Sequence, residues 1–301
     1  TPYMESPGST VSYPTLNQLK VESVYLTYPW IFGLIALYGL SLLTGNLGLF
    51  ILAILAHTLL LATRIYILDR PPVANMMETM IYVPWISSVA CLFYSHKAVI
   101  RLGSLLACAL LGLLEWHFNP HSLDNLQAVL NSNFWLTIHV LMIVASYGIF
   151  ILGGLIAHWN LLKPSADKEN LLLKCLYIGL ALLIPGTLLG GVWAAESWGR
   201  FWDWDPKEAW AFISIAVYVS VVHAYRMGKI GSLGLNIGSI IGFNAITFTW
   251  YGVNYILGTG LHSYGFGNGG QIYYYLFLIF EVLVISIALV LHSLKNKNKV
   301  C

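Results

Sequence analysis

The chain has 301 residues, of which 58% are hydrophobic and 9% are charged, and its mean hydropathy is +0.73. Because soluble domains contain about 25% charged residues, this composition predicts an integral membrane protein. The net charge of +2 is small and the cations are dispersed along the chain, which argues against a nucleic-acid partner. The four cysteines form no CxxC pair, so the chain itself is not expected to exchange disulfides.

Residues 1–22 are polar and lack the basic region and short apolar core of a signal peptide. We interpret them as an outer-side segment of a chain cut from something longer. The apolar runs that follow predict about nine membrane spans, and hence an all-α fold, a polytopic transmembrane helix bundle. In chain order these are residues 26–43, 47–68, 80–94, 98–116, 134–158, 171–193, 206–225, 233–251 and 272–292, of which the third is the weakest.

The lysine and arginine residues indicate the orientation of this bundle, because short cytoplasmic loops retain positive charge. Cations concentrate near residues 97–101, 163–174 and 226–229 and at the C-terminus. The intervening loops hold few cations but many Trp, Tyr, His and Gly residues, and we expect them to face outward. These outer loops are residues 69–79, 117–133, 194–205 and 252–271.

Residues 193–210 of an outer loop and its flanks read WAAESWGRFWDWDPKEAW. Part of this stretch is explained as the start of a helix, with Asp205 as N-cap, Pro206 as the first helical residue and Glu208 as the third. An interfacial aromatic belt explains one or two further aromatic residues. Neither explanation requires five tryptophans.

A flat apolar ligand accounts for the remaining tryptophans. Indole rings stack on a porphyrin with little loss of side-chain entropy, and Arg200 or Lys207 is placed to meet a propionate. We therefore predict a haem platform in this outer loop. The residues predicted to form it are Trp193, Trp198, Trp202, Trp204, Asp205 and Trp210.

Two histidines are predicted to lie on the same side of the membrane as this platform. His139 is a few residues into the fifth span from its outer end, and His262 is in the loop between the last two spans. Imidazole is a common axial ligand of haem iron, so we predict that these residues bind the iron from opposite faces. His223 lies about 27 Å along the seventh span from Asp205, and it is a candidate for a separate inner site.

Three other polar residues in apolar surroundings receive weaker assignments. His57, in the middle of the second span, is interpreted as a packed, hydrogen-bonded histidine and as the reserve ligand for the inner site. Glu78 is assigned to loop structure, and Glu281, inside the last span, to an unspecified polar contact.

The segment WGRFWDWDPKE resembles the tryptophan-rich WWD signature of the haem-handling protein family, whose members include CcsA, CcmC and CcmF of cytochrome c maturation. PPVANMMET at 71–79, WLTIHVLMIVASYG at 135–148 and GLHSYGFG at 260–267 resemble CcsA. SYPTLNQLKVESVYL resembles the junction where a CcsB-like half continues into CcsA in fused proteins. The resemblance implies a CcsA-like transmembrane haem-handling domain over residues 23–301, preceded in residues 1–22 by the candidate end of a CcsB-like half.

The resemblance also implies functions for the histidines and a reaction. His139 and His262 match the axial ligands of the outer haem, and His223 matches a ligand of haem within the membrane, paired with a histidine of the CcsB half. The implied activity is that of a cytochrome c synthase, or haem lyase, in a complex or fusion with CcsB. It attaches haem b to the CxxCH motif of apocytochrome c. The implied partners are a CcsB-like protein, apocytochrome c and a thiol reductant protein.

The implied location is the bacterial inner membrane with the active loops on the periplasmic side, and a thylakoid membrane also suits the pattern. Three alternatives stay open from the sequence. A haem exporter or relay like CcmC is disfavoured by the additional N-terminal helices. A b-type electron-transfer cytochrome is disfavoured because the nine histidines lack the paired spacing on one helix that such bundles use. In a permease for another solute, the tryptophans would form only a belt.

Overall fold

The computed structural model describes residues 14–94, 96–118, 123, 132–258 and 270–297, and every regular element within these ranges is helical. This confirms the predicted all-α, polytopic bundle. The helices are α1 (Leu16–Thr27), α2 (Trp30–Thr44), α3 (Leu47–Leu68), α4 (Met76–Leu92), α5 (Lys97–His117), α6 (Asn133–Trp135), α7 (Leu141–Leu162), α8 (Ala166–Trp198), α9 (Pro206–Arg226), α10 (Ser232–Thr247) and α11 (Gln271–Lys297). A π-helical segment, Leu136–Val140, joins α6 to α7, and a second, Phe248–Leu257, extends α10.

The number of spans differs from the sequence-based expectation. In the described part of the chain, seven helical stretches are long and apolar enough to cross a membrane, and the bent pair α1–α2 adds an eighth if it is one span. The weak third span corresponds to α4, which has 17 residues and is therefore about 25 Å long, shorter than a hydrocarbon core of about 30 Å. The count of nine spans is not confirmed.

The first predicted span begins differently because a proline interrupts it. α1 ends at Thr27, Tyr28 is extended with φ −107° and ψ 142°, and α2 begins after Pro29, with a bend of 59° between the helices. A residue before proline disfavours the helical conformation, which explains the break. α1 is polar, so apolar periodicity did not predict it, and it runs across residue 22.

Helix α7 forms the centre of the bundle and packs against α4, α8 and α10, and 78% of its membrane-spanning window is buried. Lipid tails are as apolar as the side chains, so close packing of small residues stabilises such contacts. Gly148 of α7 meets α4 in this way, since a Cβ at this position would lie 2.5 Å from the Ile86 side chain. In contrast, only 11% of the corresponding window of α11 is buried.

Glu281 of α11 is buried and pairs with His158 of α7, with 3.0 Å between Oε2 and Nε2. The His158 Nδ1 is 2.7 Å from the carbonyl oxygen of Gly154. A carbonyl only accepts, so Nδ1 carries a proton, and the second contact requires a further proton on either Nε2 or the carboxylate. With the proton at either position the pair has no net charge, and it attaches the otherwise exposed α11 to the core.

The segment before α4 is organised by Glu78, which is fully buried. Its carboxylate accepts two hydrogen bonds from Arg70, at 2.9 and 3.0 Å, and one from Arg64 of α3 at 3.3 Å. It also accepts the backbone N–H of Ala74 at 2.8 Å. One carboxylate therefore connects α3, α4 and the intervening turn.

We predict that Glu78→Ala lowers the free energy of unfolding by about 3–5 kcal/mol, because it leaves two buried guanidinium groups without their carboxylate. The measurement is denaturant or thermal unfolding of the purified protein in detergent. Asp203→Asn is the matched control, since it breaks an exposed pair with Arg200 and should cost less than about 1 kcal/mol. Equal destabilisation by the two changes would contradict this account of Glu78.

Candidate functional site

A cavity lies at the end of the bundle where α4 and α9 begin and α8 ends. Its internal volume is about 90 Å³, not counting the space in front of its open mouth. Segments 71–79, 135–148 and 193–210, which are distant in sequence, meet here. Side chains that line the cavity include Thr79, His139, Trp202, Lys207, Trp250 and Asn254.

His139 is presented to the cavity by the π-helical segment Leu136–Val140. Such segments occur frequently at functional sites. The His139 Nδ1 is 2.7 Å from the carbonyl oxygen of Gly186 in α8, so Nδ1 carries the proton and donates it. In the neutral ring the lone pair is then on Nε2, which is the arrangement of a metal-binding imidazole.

The His139 ring is also fixed by contacts with α8. It lies against Gly190, where a Cβ would be 2.5 Å from the imidazole Cε1. The Trp193 indole meets the edge of the imidazole, with ring centroids 5.8 Å apart, and stacks on Trp135 at 6.3 Å. The Trp135 Nε1 donates to Glu196 at 2.9 Å. Packing and hydrogen bonds together determine the orientation of the imidazole.

The tryptophan-rich loop leads into α9 through the predicted capping box, which is confirmed. Asp205 accepts the backbone N–H of Lys207 at 3.0 Å, and Glu208 accepts that of Asp205 at 3.3 Å. Glu208 also accepts the backbone N–H of Asp203 at 2.9 Å. These bonds flank Trp204, whose φ of +56° is rare for a bulky residue. The carboxylate of Glu208 thus stabilises an unfavourable backbone conformation beside the cavity.

The five predicted tryptophans have different positions. Of these five, Trp202 alone lines the cavity. Trp204 is 71% exposed and meets the edge of Trp202 at 5.9 Å, whereas Trp193 is buried behind His139. Trp198 is the last residue of α8 and is half-buried. Of the five predicted indoles, the structure therefore places one at the cavity, and Trp193 supports His139 from behind.

Other contacts of the loop were not singled out from the sequence. Trp210 packs on Phe248 of the second π-helical segment, with centroids 4.1 Å apart. Phe201 lies on Gly191 of α8, where a Cβ would be 2.6 Å from the phenyl ring. Phe201 is inside the motif WGRFWDWD, but nothing in the sequence separates it from the tryptophans around it.

Another contact links the cavity lining to segment 71–79. The Trp250 Nε1 donates to the Thr79 Oγ1 at 2.9 Å, and both residues line the cavity. The two side chains are 171 residues apart in sequence, so no local pattern predicts this bond.

Of the two cations that the sequence offered for a propionate, the structure favours Lys207. Lys207 lines the cavity. The Arg200 side chain is 63% exposed and forms an ion pair with Asp203 at 2.6 Å. A guanidinium that is already paired in water is a weaker candidate for binding an anion inside the cavity.

Of the other two predicted iron ligands, one is outside the described residues and the other lies away from the cavity. His262 lies outside the described residues, so its pairing with His139 stays a prediction. His223 is exposed on α9, about 24 Å along the helix from Lys207. Its Nδ1 donates to the Val219 carbonyl at 2.9 Å, which leaves the lone pair of the neutral ring on Nε2 at the surface of the bundle.

Comparisons with known proteins agree with this architecture. The sequence profile described as Cytochrome C assembly protein matches residues 40–262. The chain is 39% identical over 229 residues to Protein NrfI of Wolinella succinogenes, covering 70% of this chain and 25% of that protein. It is 34% identical over 221 residues to Cytochrome c biogenesis protein CcsA of Chlamydomonas reinhardtii, covering 65% and 62%. With the CcsA protein of Guillardia theta, it is 30% identical over 263 residues, covering 73% and 85%.

A solved structure titled Cytochrome c Heme Lyase CcmF shares the fold, with a TM-score of 0.57 over 96% of this chain and 53% of that chain, at 12% identity. The fold and cavity define a polytopic helical membrane protein with a histidine-bearing, aromatic site at one end. The chain belongs to the Cytochrome C assembly protein family and is of the CcsA type. It spans a quarter of NrfI and less than two thirds of the C. reinhardtii protein.

We predict that Gly190→Ala is less stable than Gly112→Ala by about 1–3 kcal/mol, because the new methyl group displaces the His139 imidazole. Gly112 is the matched control: it is also inside a helix, and a Cβ there meets nothing within 4 Å. Unfolding of both variants in detergent measures the difference. Equal stabilities would show that the imidazole does not lie tightly against α8.

Proposed function

We propose that the cavity binds haem b through the Nε2 of His139 and holds it for attachment to apocytochrome c. The observation that carries this proposal is the convergence of His139, Trp202 and Lys207 with segment 71–79 on one cavity. An imidazole, an aromatic wall and a cation are the groups that an iron porphyrin with propionates needs.

The residues present suit such a ligand. The Gly186 carbonyl holds the His139 proton on Nδ1, so that Nε2 carries the lone pair of the neutral ring. The apolar part of the cavity, including Val140, Ile143 and Val144, suits the macrocycle. His262 is proposed as the second axial ligand on the strength of the family resemblance.

The proposed reaction is the addition of two cysteine thiols of the CxxCH motif across the two haem vinyl groups. In each addition the sulfur bonds to one vinyl carbon and the thiol hydrogen goes to the vinyl group, so no oxidant is needed. The thiols must be reduced, which is the role of the proposed thiol reductant partner. Because position and orientation alone contribute several kcal/mol to such a step, the protein needs no dedicated acid or base.

His223 is proposed to bind haem at a second, inner position together with a histidine of a CcsB-like partner. The exposure of His223 on the surface of α9 supports this proposal, because a partner protein can then approach and supply the second axial ligand. His57 is a poor alternative, since it is fully buried and 3.2 Å from the Tyr38 hydroxyl. The division into a CcsB-like end, residues 1–22, and a domain from residue 23 remains part of this proposal.

The proposed location is a bacterial inner membrane with the cavity on the periplasmic side. The support is the distribution of charge: cations near residues 97–101, 163–174 and 226–229 all lie at the opposite end of the bundle. A thylakoid membrane with the cavity facing the lumen is equally consistent with this pattern.

We predict that His139→Gly loses most of its haem and recovers it when imidazole is added. The measurement is the reduced-minus-oxidised absorption spectrum of the full chain purified with its haem. His292→Gly is the control, because His292 is exposed at the far end of α11 and should retain haem like the parent. A His139→Gly protein with parental haem content and spectrum would refute the site.

The same variants test whether the cavity serves cytochrome maturation. A synthase requires His139 for thioether formation on a co-expressed apocytochrome, measured by haem staining of the denatured cytochrome. If His139→Gly lost haem yet the cytochrome matured normally, the cavity would serve another function.

We predict that Lys207→Gln weakens haem binding by roughly tenfold or more, because a charge-assisted bond to a propionate is lost. Haem dimethyl ester, which lacks the carboxylates, should bind parent and variant equally. Arg200→Gln is the control and should change neither affinity. If Lys207→Gln weakened both ligands to the same extent, a general distortion of the cavity would replace the proposed ion pair.

A further inference from the structure

A second cavity lies at the opposite end of the bundle, between the α4–α5 connection, the end of α7 and the start of α8. Its internal volume is about 570 Å³. Along α8, Lys168 of this cavity is about 33 Å from Gly190 of the first one, which is close to a full hydrocarbon thickness. We call it the Tyr94 pocket; it is lined by Tyr94, His96, Trp159, Asp167, Lys168 and Lys174, with other residues of the same elements.

Two lysines of this pocket each lie over an aromatic ring. The Lys168 Nζ is 4.5 Å from the centroid of the Trp159 ring, and the Lys174 Nζ is 5.2 Å from that of Tyr94. The Lys168 Nζ also donates to the carbonyl oxygen of Lys163. Because an ammonium group carries three hydrogens, it can still donate to a ligand. The pocket therefore presents two positioned cations at the membrane interface.

His96 adds a neutral donor to these cations. Its Nδ1 accepts the backbone N–H of Ala98 at 3.2 Å, so the proton of the neutral ring is on Nε2. The side chains of Ser165 and Asn170 add polar groups, and Val99 and Leu171 supply an apolar part. A ligand that fits these groups combines an anionic head with an apolar body.

The charge balance discriminates between such ligands. Lys168 and Lys174 against Asp167 leave a net charge of about +1, which matches one phosphodiester but not the two carboxylates of haem. Asp167 also favours a head group with hydroxyl donors. Anionic phospholipids are concentrated in the cytoplasmic leaflet, where basic pockets between membrane helices bind their head groups.

We propose that the Tyr94 pocket binds the head group of an anionic phospholipid that carries hydroxyl groups. The site is separate from the one proposed around His223. The Tyr225 hydroxyl of α9 donates to Glu169 of α8 at 2.8 Å. Helical geometry places Glu169 on the face of α8 roughly opposite to Leu171, which lines the pocket. The helix α9, which carries His223, therefore packs on the other side of α8 from the pocket. The proposal does not depend on haem binding.

The test is native mass spectrometry of the delipidated full chain, titrated with phosphatidylglycerol, phosphatidylcholine and haem. The parent should prefer phosphatidylglycerol, and the double variant Lys168→Gln/Lys174→Gln should bind it roughly tenfold more weakly or worse. Lys163→Gln/Lys229→Gln is the matched control, since it removes two exposed cations at the same end of the bundle. This control should keep the parental affinity.

A charge-preserving variant shows whether a loss of binding is caused by misfolding rather than by the loss of charge. Lys168→Arg/Lys174→Arg should retain the preference, and all variants should show the parental unfolding midpoint. Equal loss of affinity in both glutamine doubles would mean that only overall charge attracts the lipid, and would overturn the proposal. Unchanged phosphatidylglycerol binding with loss of a haem adduct in Lys168→Gln/Lys174→Gln would assign the pocket to haem instead.

Discussion

The hydrogen bond from the His139 Nδ1 to the carbonyl oxygen of Gly186 is the interaction on which the candidate site depends. It joins the π-helical start of α7 to α8 and decides which nitrogen of the imidazole carries the lone pair. The bare surface of Gly190 and the Trp193 indole then limit the ring to one orientation.

Elsewhere in the bundle, buried carboxyl groups are paired with a basic side chain, as expected inside a membrane protein. Glu78 is paired with Arg64 and Arg70 next to the cavity, and Glu281 with His158 where α11 joins the core. The first pairing shapes the segment that forms one wall of the cavity. The second holds α11, which begins at Gln271, against the core. Most of the described surface cations, with Arg200 and Lys20 as exceptions, lie at the opposite end, where the Tyr94 pocket lies.

Much of this could be read from the sequence because it depends on local patterns. Apolar runs predicted the helices, and Asp205 with Glu208 predicted the cap of α9. The positions of individual tryptophans could not be predicted, because whether an indole lines the cavity, as Trp202 does, or supports it, as Trp193 does, depends on contacts between distant helices. The π-helical turn at His139 and the break at Pro29 change the local backbone geometry without altering hydrophobicity. Hydropathy therefore could not predict either feature.

Residues from three separated segments of the chain form the proposed haem site around His139. The most direct test is an electron cryo-microscopy structure of the full chain loaded with haem. We expect iron bonded to the Nε2 of His139, with the macrocycle beside Trp202 and a propionate near Lys207. Haem bound elsewhere, with the iron away from His139 and this cavity empty of porphyrin, would contradict it.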